Sequence, residues 1–120
     1  MRLLIILNIM LGTGSILAHS ETGKASYYST KCNGGSKTAS GQKLVNTSNT
    51  VAHKTLPFGT LLKVTNLKNG KSEICQVSDR GPYKRGRIVD VTVGVAKKLG
   101  FISQGIANVK IEVVGKVKIK

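Results

Sequence analysis

Carboxylates are scarce in this sequence. Five Asp and Glu stand against nineteen Lys and Arg, a formal net charge of +14 over 120 residues. Tryptophan is absent, and two Phe and three Tyr are the whole aromatic complement. That is thin for the stacking platforms of a barrel that binds single-stranded nucleic acid. The two histidines are His19 and His53, and the two cysteines are Cys32 and Cys75. No ligand-like spacing links His53 to the cysteines, so no metal site is expected. No apolar run approaches the ~20 residues that cross a bilayer as a helix. No Ser-His-Asp order and no phosphate loop occurs, and "SDRG" lacks the small hydroxyl residue that an aspartic protease carries between Asp and Gly.

What is present begins with an export signal. "MRLLIILNIMLGTGSILAHS" has a cation at Arg2, an apolar run from Leu3 to Leu11, and small residues before Ala18-His19-Ser20. This is the layout of a secretory signal peptide over residues 1–20, with cleavage after Ala18 or Ser20. No cysteine follows the apolar run, so no lipid anchor is expected, and the mature chain is read as periplasmic or secreted. A strongly positive exported chain attracts polyanions, and acidic cell-wall polymers suit it better than nucleic acid. On this reading Glu21 sits at the new, flexible N-terminus. An even pair of cysteines in an exported chain suggests a Cys32–Cys75 disulfide. It would close a loop of about 40 residues, worth roughly 3–4 kcal/mol; two buried thiols are the alternative.

The mature chain is enough for one small domain, spanning residues 23–115 and followed by a basic tail, 116–120. Short apolar alternations between Gly, Asn and Pro argue for strands. "GKASYYS", "NTVAHK", the two arms of "LPFGTLLKVTNLKNGKSEICQVSD", "GRIVDVT" and "IANVKIEVVG" are the candidates. Asn69-Gly70 suits a tight two-residue hairpin turn. "VGVAKKLG" reads as one short helix closed by Gly100 in a left-handed cap. "KCNGGSKTASGQK" is an exposed loop. About six strands and one helix make a mainly β fold, a small closed or nearly closed barrel.

Against so few acids, the stretch "VSDRGPYKRGRIVDVT" holds two, Asp79 and Asp90. Glu73 beside the hairpin turn and Glu112 in the last strand are expected to face water. In "GRIVDVT", Val89 and Val91 share one face while Ile88, Asp90 and Thr92 share the other. Partial burial raises a carboxyl pKa, which a general acid needs. Pairing with Arg80, Arg85 or Arg87 would lower it instead, so the working and structural readings of Asp90 oppose one another. Asp79 either projects from a strand end or caps the turn that follows. His53 is either a buried structural histidine or part of the same site. Tyr27, Tyr28 and Tyr83 offer flat faces suited to sugar rings, or core packing.

Taken together, "ASYYS", "TASGQ", "AHKTLPFGTLLKVTNLKNGKS", "VSDRGPYKRGRIVDVT" and "GVAKKLG" resemble the RlpA family (rare lipoprotein A) from about Gly23 to Val114. The resemblance implies a six-stranded double-psi β-barrel, similar to that of expansins. It implies a lytic transglycosylase acting on peptidoglycan glycan strands, with a preference for strands lacking stem peptides. Such enzymes use no water: one carboxyl protonates the glycosidic oxygen, then assists the 6-hydroxyl of the same muramic sugar to close a 1,6-anhydro ring. The resemblance casts Asp90 as acid/base, Asp79 as orienting or charge-stabilising group, and His53 as partner of substrate or of Asp79. It places Thr38, Ser40, Gln42, Tyr28, Arg80 and Tyr83 against substrate. No cofactor and no membrane anchor is implied, and a monomer is expected. One departure stands out: members of the family often carry Glu where this chain has Gln42, and an amide cannot move a proton. A non-catalytic, expansin-like glycan-binding module is therefore the alternative. The lipid-attachment cysteine and the C-terminal peptidoglycan-binding domain of many relatives are also missing from this sequence.

Overall fold

A computed structural model describes residues 19–28 and 48–117. Residues 1–18 of the signal-like segment and the loop carrying Cys32, Thr38, Ser40 and Gln42 lie outside the described residues. The elements run β1 (Ser20–Tyr28), β2 (Thr50–His53), β3 (Thr60–Asn66), β4 (Ser72–Asp79), β5 (Arg87–Thr92), α1 (Val93–Leu99) and β6 (Ile106–Lys116). The six strands close into a barrel in the order β1-β5-β2-β4-β3-β6. The β1–β5 and β2–β4 ladders are parallel, and the other four are antiparallel. Closure leaves no open sheet edge. The expected six-stranded barrel with one helix is thus the observed fold.

The core follows from β-branched residues at alternate positions. Val51, Val64, Val77, Val89, Val91, Val109 and Ile111 are wholly buried, and their side chains suit a pleated, inward-facing surface. α1 adds Val95, Ala96 and Leu99 to the same cluster, followed by Phe101. Thr92 opens the helix, its hydroxyl accepting from the Val95 N–H at 3.3 Å. Gly100 closes it at φ 78°. Tyr27 belongs to this packing: its ring lies 5.9 Å from that of Phe101, and its hydroxyl donates to the Ile102 carbonyl.

Two features differ from the sequence expectation. The β3–β4 connection is not a two-residue turn, because β3 ends at Asn66 and β4 starts at Ser72. The cause is distant in sequence: the Asn66 and Asn69 amides both donate to the Leu99 carbonyl, at 2.8 and 3.0 Å. The loop is thereby drawn onto the end of α1. Second, β1 begins at Ser20, with Ser20, Glu21 and Thr22 paired to Glu112, Ile111 and Lys110 of β6. Glu21 is a strand residue rather than a loose terminus. At the other end, the Val117 N–H donates to the Gly59 carbonyl.

Gly100 and Gly105 share φ 78°, but a Cβ on Gly100 would stand 2.9 Å from Asn69 Nδ2, whereas one on Gly105 meets nothing within 4 Å. Gly105→Ala is therefore expected to cost about 1–2 kcal/mol, the ordinary left-handed penalty, and Gly100→Ala clearly more. Urea denaturation of the two variants checks this; equal losses would show that the Asn69–Leu99 contact bears no strain.

Candidate active site

The β2 strand places the two scarce aspartates. Ala52 is the ladder partner of Asp90 on β5 and of Asp79 on β4. Beyond Asp90, Ser26 of β1 is its partner, and Ile106 of β6 pairs with Ser26. Paired residues present their side chains on one face. Ile106, Ser26, Asp90, Ala52 and Asp79 thus form a row across five strands, on the face opposite the core valines. With strands ~4.8 Å apart, the two aspartate backbones lie about 10 Å apart across Ala52, Asp79 reaching this place through a register shift that skips Ser78.

Asp90 is half-buried, and Ser26 Oγ donates to its Oδ1 at 2.9 Å. Burial raises its pKa above the ordinary carboxyl value, and the charge of Asp79 adds to this. The Ser26 hydrogen bond and Arg87 oppose it without prevailing. Among the described residues no Arg or Lys forms an ion pair with Asp90; Arg87 acts only from a distance. Asp79 Oδ1 accepts the Arg80 backbone N–H at 2.9 Å, ahead of a turn with a cis Gly81–Pro82 bond. Tyr28 lies two residues along β1 from Ser26. Burial pushes its hydroxyl up to about 12, helped by Asp90 and Asp79. Tyr83, beyond the turn, is 76 % exposed.

Arg80 is half-buried against the barrel. Its guanidinium stacks 4.2 Å from the Phe58 ring centre. Its Nη1 donates to the carbonyls of His53 and Leu56.

His53 stands apart from the row. It follows Ala52, pairs with Val89 and so points to the opposite face, where it is 3 % exposed. The resemblance paired it with substrate or with Asp79; here its Nε2 lies 3.0 Å from Oε2 of Glu21. His19 Nε2 meets the same oxygen at 2.7 Å. These three side chains converge within 4.8 Å, a spacing that suits a metal ion. Proton placement argues against one. His53 Nδ1 accepts the backbone N–H groups of Thr55 and Leu56, both at 3.1 Å, so the ring proton sits on Nε2 and points at Glu21. A metal on Nε2 would push that proton to Nδ1, against two N–H donors. Burial lowers the His53 pKa, with Glu21 opposing, so the ring is held neutral. Burial alone would raise Glu21, but the two histidine hydrogen bonds turn the balance and lower it.

A concavity of about 810 Å³ lies away from the aspartates. It opens between β1, the β3–β4 loop and the turn after α1. Phe101, Leu67 and Ile106 form apolar lining, with Lys68, Gln104 and Asn108 around them. Ile106 joins it to the aspartate row.

The family model described as lytic transglycolase matches residues 20–111. This chain belongs to the RlpA family, with its double-psi β-barrel. It is 50% identical over 93 residues to the endolytic peptidoglycan transglycosylase RlpA of Neisseria meningitidis serogroup A, a match covering 78% of this chain and 38% of that protein. The Vibrio cholerae RlpA is 47% identical over 95 residues, 79% of this chain and 36% of that one. The chain therefore spans well under half the length of these relatives. Among solved structures, the Streptomyces papain inhibitor superposes with a TM-score of 0.64 at 22% identity, covering 82% of this chain and 96% of the inhibitor. The Clavibacter michiganensis expansin gives 0.59 at 23%, covering 84% and 53%. Both likenesses show the RlpA barrel as a fold.

Of the expected site residues, the barrel brings together Asp90, Asp79 and Tyr28, and places His53 elsewhere. Cys75 is buried in the core with its thiol pushed up to about 12 by burial, while Cys32, Thr38, Ser40 and Gln42 lie outside the described residues. Two neighbours escaped sequence reasoning: Ser26, whose alternation with Tyr28 was a usable signal, and Glu21, hidden by the signal-peptide boundary. Titration calorimetry with Zn²⁺ at neutral pH is expected to give no stoichiometric complex and no rise in Tm. A one-to-one complex that removes the His53 Nε2–H NMR signal would overturn the tautomer assigned above.

Proposed function

We propose that this RlpA-family barrel is an endolytic lytic transglycosylase, cleaving peptidoglycan glycan strands to 1,6-anhydromuramic ends with Asp90 as its acid/base. The observation that carries the reading is a half-buried carboxyl with its pKa raised, in a face shared with a second carboxylate. Ser26 donates to Oδ1, which leaves Oδ2 to hold the proton. That proton passes to the glycosidic oxygen as the bond to the muramic anomeric carbon breaks. The Asp90 carboxylate then takes the proton of the sugar's own 6-hydroxyl as it closes on that carbon. Positive charge develops at the anomeric centre during this exchange, and Asp79 stabilises it from across Ala52. Tyr28 and the exposed ring of Tyr83 offer apolar faces to neighbouring sugars. The groove reached over Ile106 suits the continuing strand, with Leu67 and Ile106 against sugar faces and Gln104 and Asn108 toward hydroxyl and acetamido groups.

Gln42 favours one competing reading, a glycan-binding module that does not cut, because it stands where relatives often carry Glu. Digestion of peptide-free glycan strands followed by mass spectrometry separates the two. The expected products carry 1,6-anhydro ends. Asp90→Asn is expected to lower their rate by about 10²-fold or more while Tm stays level or rises, since the amide removes a carboxylate whose ionisation burial disfavours. Activity of the parent protein falls as pH rises through the elevated Asp90 pKa, because the acid must enter the reaction protonated. Wild-type turnover in Asp90→Asn would remove Asp90 from this role. Retained pelleting on cell walls without anhydro products would select the binding module.

Export is part of the proposal, with cleavage after Ala18 rather than Ser20. The earlier cut keeps His19 on Glu21 and Ser20 in its ladder with Glu112. The intact mass of the exported protein is expected to begin at His19; a chain starting at Glu21 would contradict this.

A further inference from the structure

We propose that Glu21 and Arg80 are positioning residues for Asp79, acting through one chain of contacts that crosses the barrel wall from its inner to its outer face. The inference rests on the reading of Asp79 and Asp90 as the working pair, yet neither Glu21 nor Arg80 belongs to their row.

The chain starts with the Glu21 carboxylate, which accepts from His53 Nε2 at 3.0 Å. This bond fixes the ring's rotation and keeps its proton on Nε2. Nδ1 is left as an acceptor and gathers the N–H groups of Thr55 and Leu56. The backbone is thereby folded into a tight turn after β2. Folded in this way, the turn aims two carbonyls, those of His53 and Leu56, at one nitrogen, Arg80 Nη1, at 3.3 and 2.9 Å. Phe58, two residues beyond Leu56, supplies the ring under the guanidinium. Arg80 is held at its side-chain end, so its backbone N–H is held too. That N–H donates to Asp79 Oδ1 at 2.9 Å, one of the contacts that direct the Asp79 carboxylate.

Each link has a directional donor and acceptor, and a planar group stands at both turning points: the imidazole and the guanidinium. Lys at position 80 has no planar fork to span two carbonyls and stack flat on Phe58. Ala at position 21 leaves a buried Nε2–H without its acceptor. Gln at position 21 still offers an oxygen to Nε2–H. Gln and Ala remove the same negative charge, so any difference between them reads the hydrogen bond and not the field.

The test combines substrate-free NMR with kinetics on Glu21→Ala, Glu21→Gln and Arg80→Lys, with folding verified by circular dichroism. In Glu21→Ala and Arg80→Lys the Arg80 amide proton is expected to move upfield, out of its hydrogen-bonded position, with a change in the Asp79 ¹³Cγ shift. On peptide-free strands kcat is expected to fall about tenfold, with KM nearly unchanged. Glu21→Gln is expected to restore the parent values in both readouts. A folded Glu21→Ala or Arg80→Lys protein with parent Arg80 and Asp79 shifts and parent kcat would overturn the chain of contacts. So would a Glu21→Gln protein as impaired as Glu21→Ala. Should Glu21→Ala fail to fold, Arg80→Lys carries the test alone, since it leaves the His53 clasp intact. If the parent protein yields no anhydro products while the NMR shifts move as expected, the positioning chain stands and the proposed activity fails.

Discussion

The four residues of β2 are the constraint on which the site depends. β2 is hydrogen-bonded on both sides, to β4 in parallel and to β5 in antiparallel. A strand with two such ladders has no freedom to rotate or slip without moving both neighbours, because a one-residue slip turns every side chain to the other face. Alternation then assigns the work. Val51 and His53 face the interior, and Ala52 between them faces the aspartates. A residue larger than alanine at position 52 would wedge between the two carboxyl groups. The pair is thus set by backbone pairing, and no cation is needed to bring its members together.

Three of the few acids are held by neighbours away from the aspartate row. Glu73 accepts from Asn49, with Lys98 nearby, and Glu112 lies against Lys110. Glu21 is spent on two histidines. A chain this cationic lowers carboxyl pKa values through its overall field, so a proton-carrying acid needs local opposition to that field. Partial burial and the adjacent Asp79 charge supply it for Asp90. The arginines of the same block are kept from undoing it. Arg80 is committed to carbonyls and to Phe58, and among the described residues Arg87 forms no ion pair with Asp90. The chain is strongly positive as a whole, while the Asp90 carboxyl has its pKa raised locally.

Much of this was legible in the sequence because it is local. Two-residue alternation placed Asp90 opposite Val89 and Val91, and Gly100 marked the helix end, since both depend on residues within a turn or two. The closed barrel was legible from the number and shortness of the strands. What was not legible depends on partners remote in sequence. The Asn69-Gly70 turn looked tight until the Leu99 carbonyl, about thirty residues on, drew both asparagine amides onto α1. The meeting of Asp79 and Asp90 across Ala52 requires the β2–β4 parallel ladder, and nothing in a strand's own pattern names its parallel neighbour. His53 carried a true signal of burial, but its partner lay thirty-two residues upstream, in a segment expected to be a loose N-terminus.

The placement of His53 also bears on how the site divides its labour. A histidine beside a carboxylate invites a proton-transfer reading, yet both ring nitrogens are occupied and the ring lies on the interior face. A buried imidazole whose Nδ1 accepts two backbone N–H groups cannot take a proton there without breaking both bonds, and Nε2 already carries one. Its hydrogen bonds hold the turn after β2, whose carbonyls meet Arg80. In the outward row, by contrast, Ser26 donates to one oxygen of the Asp90 carboxyl. With position 42 occupied by an amide that cannot exchange a proton, the case for catalysis rests on Asp90 having both the burial to hold its proton and the openness to release it.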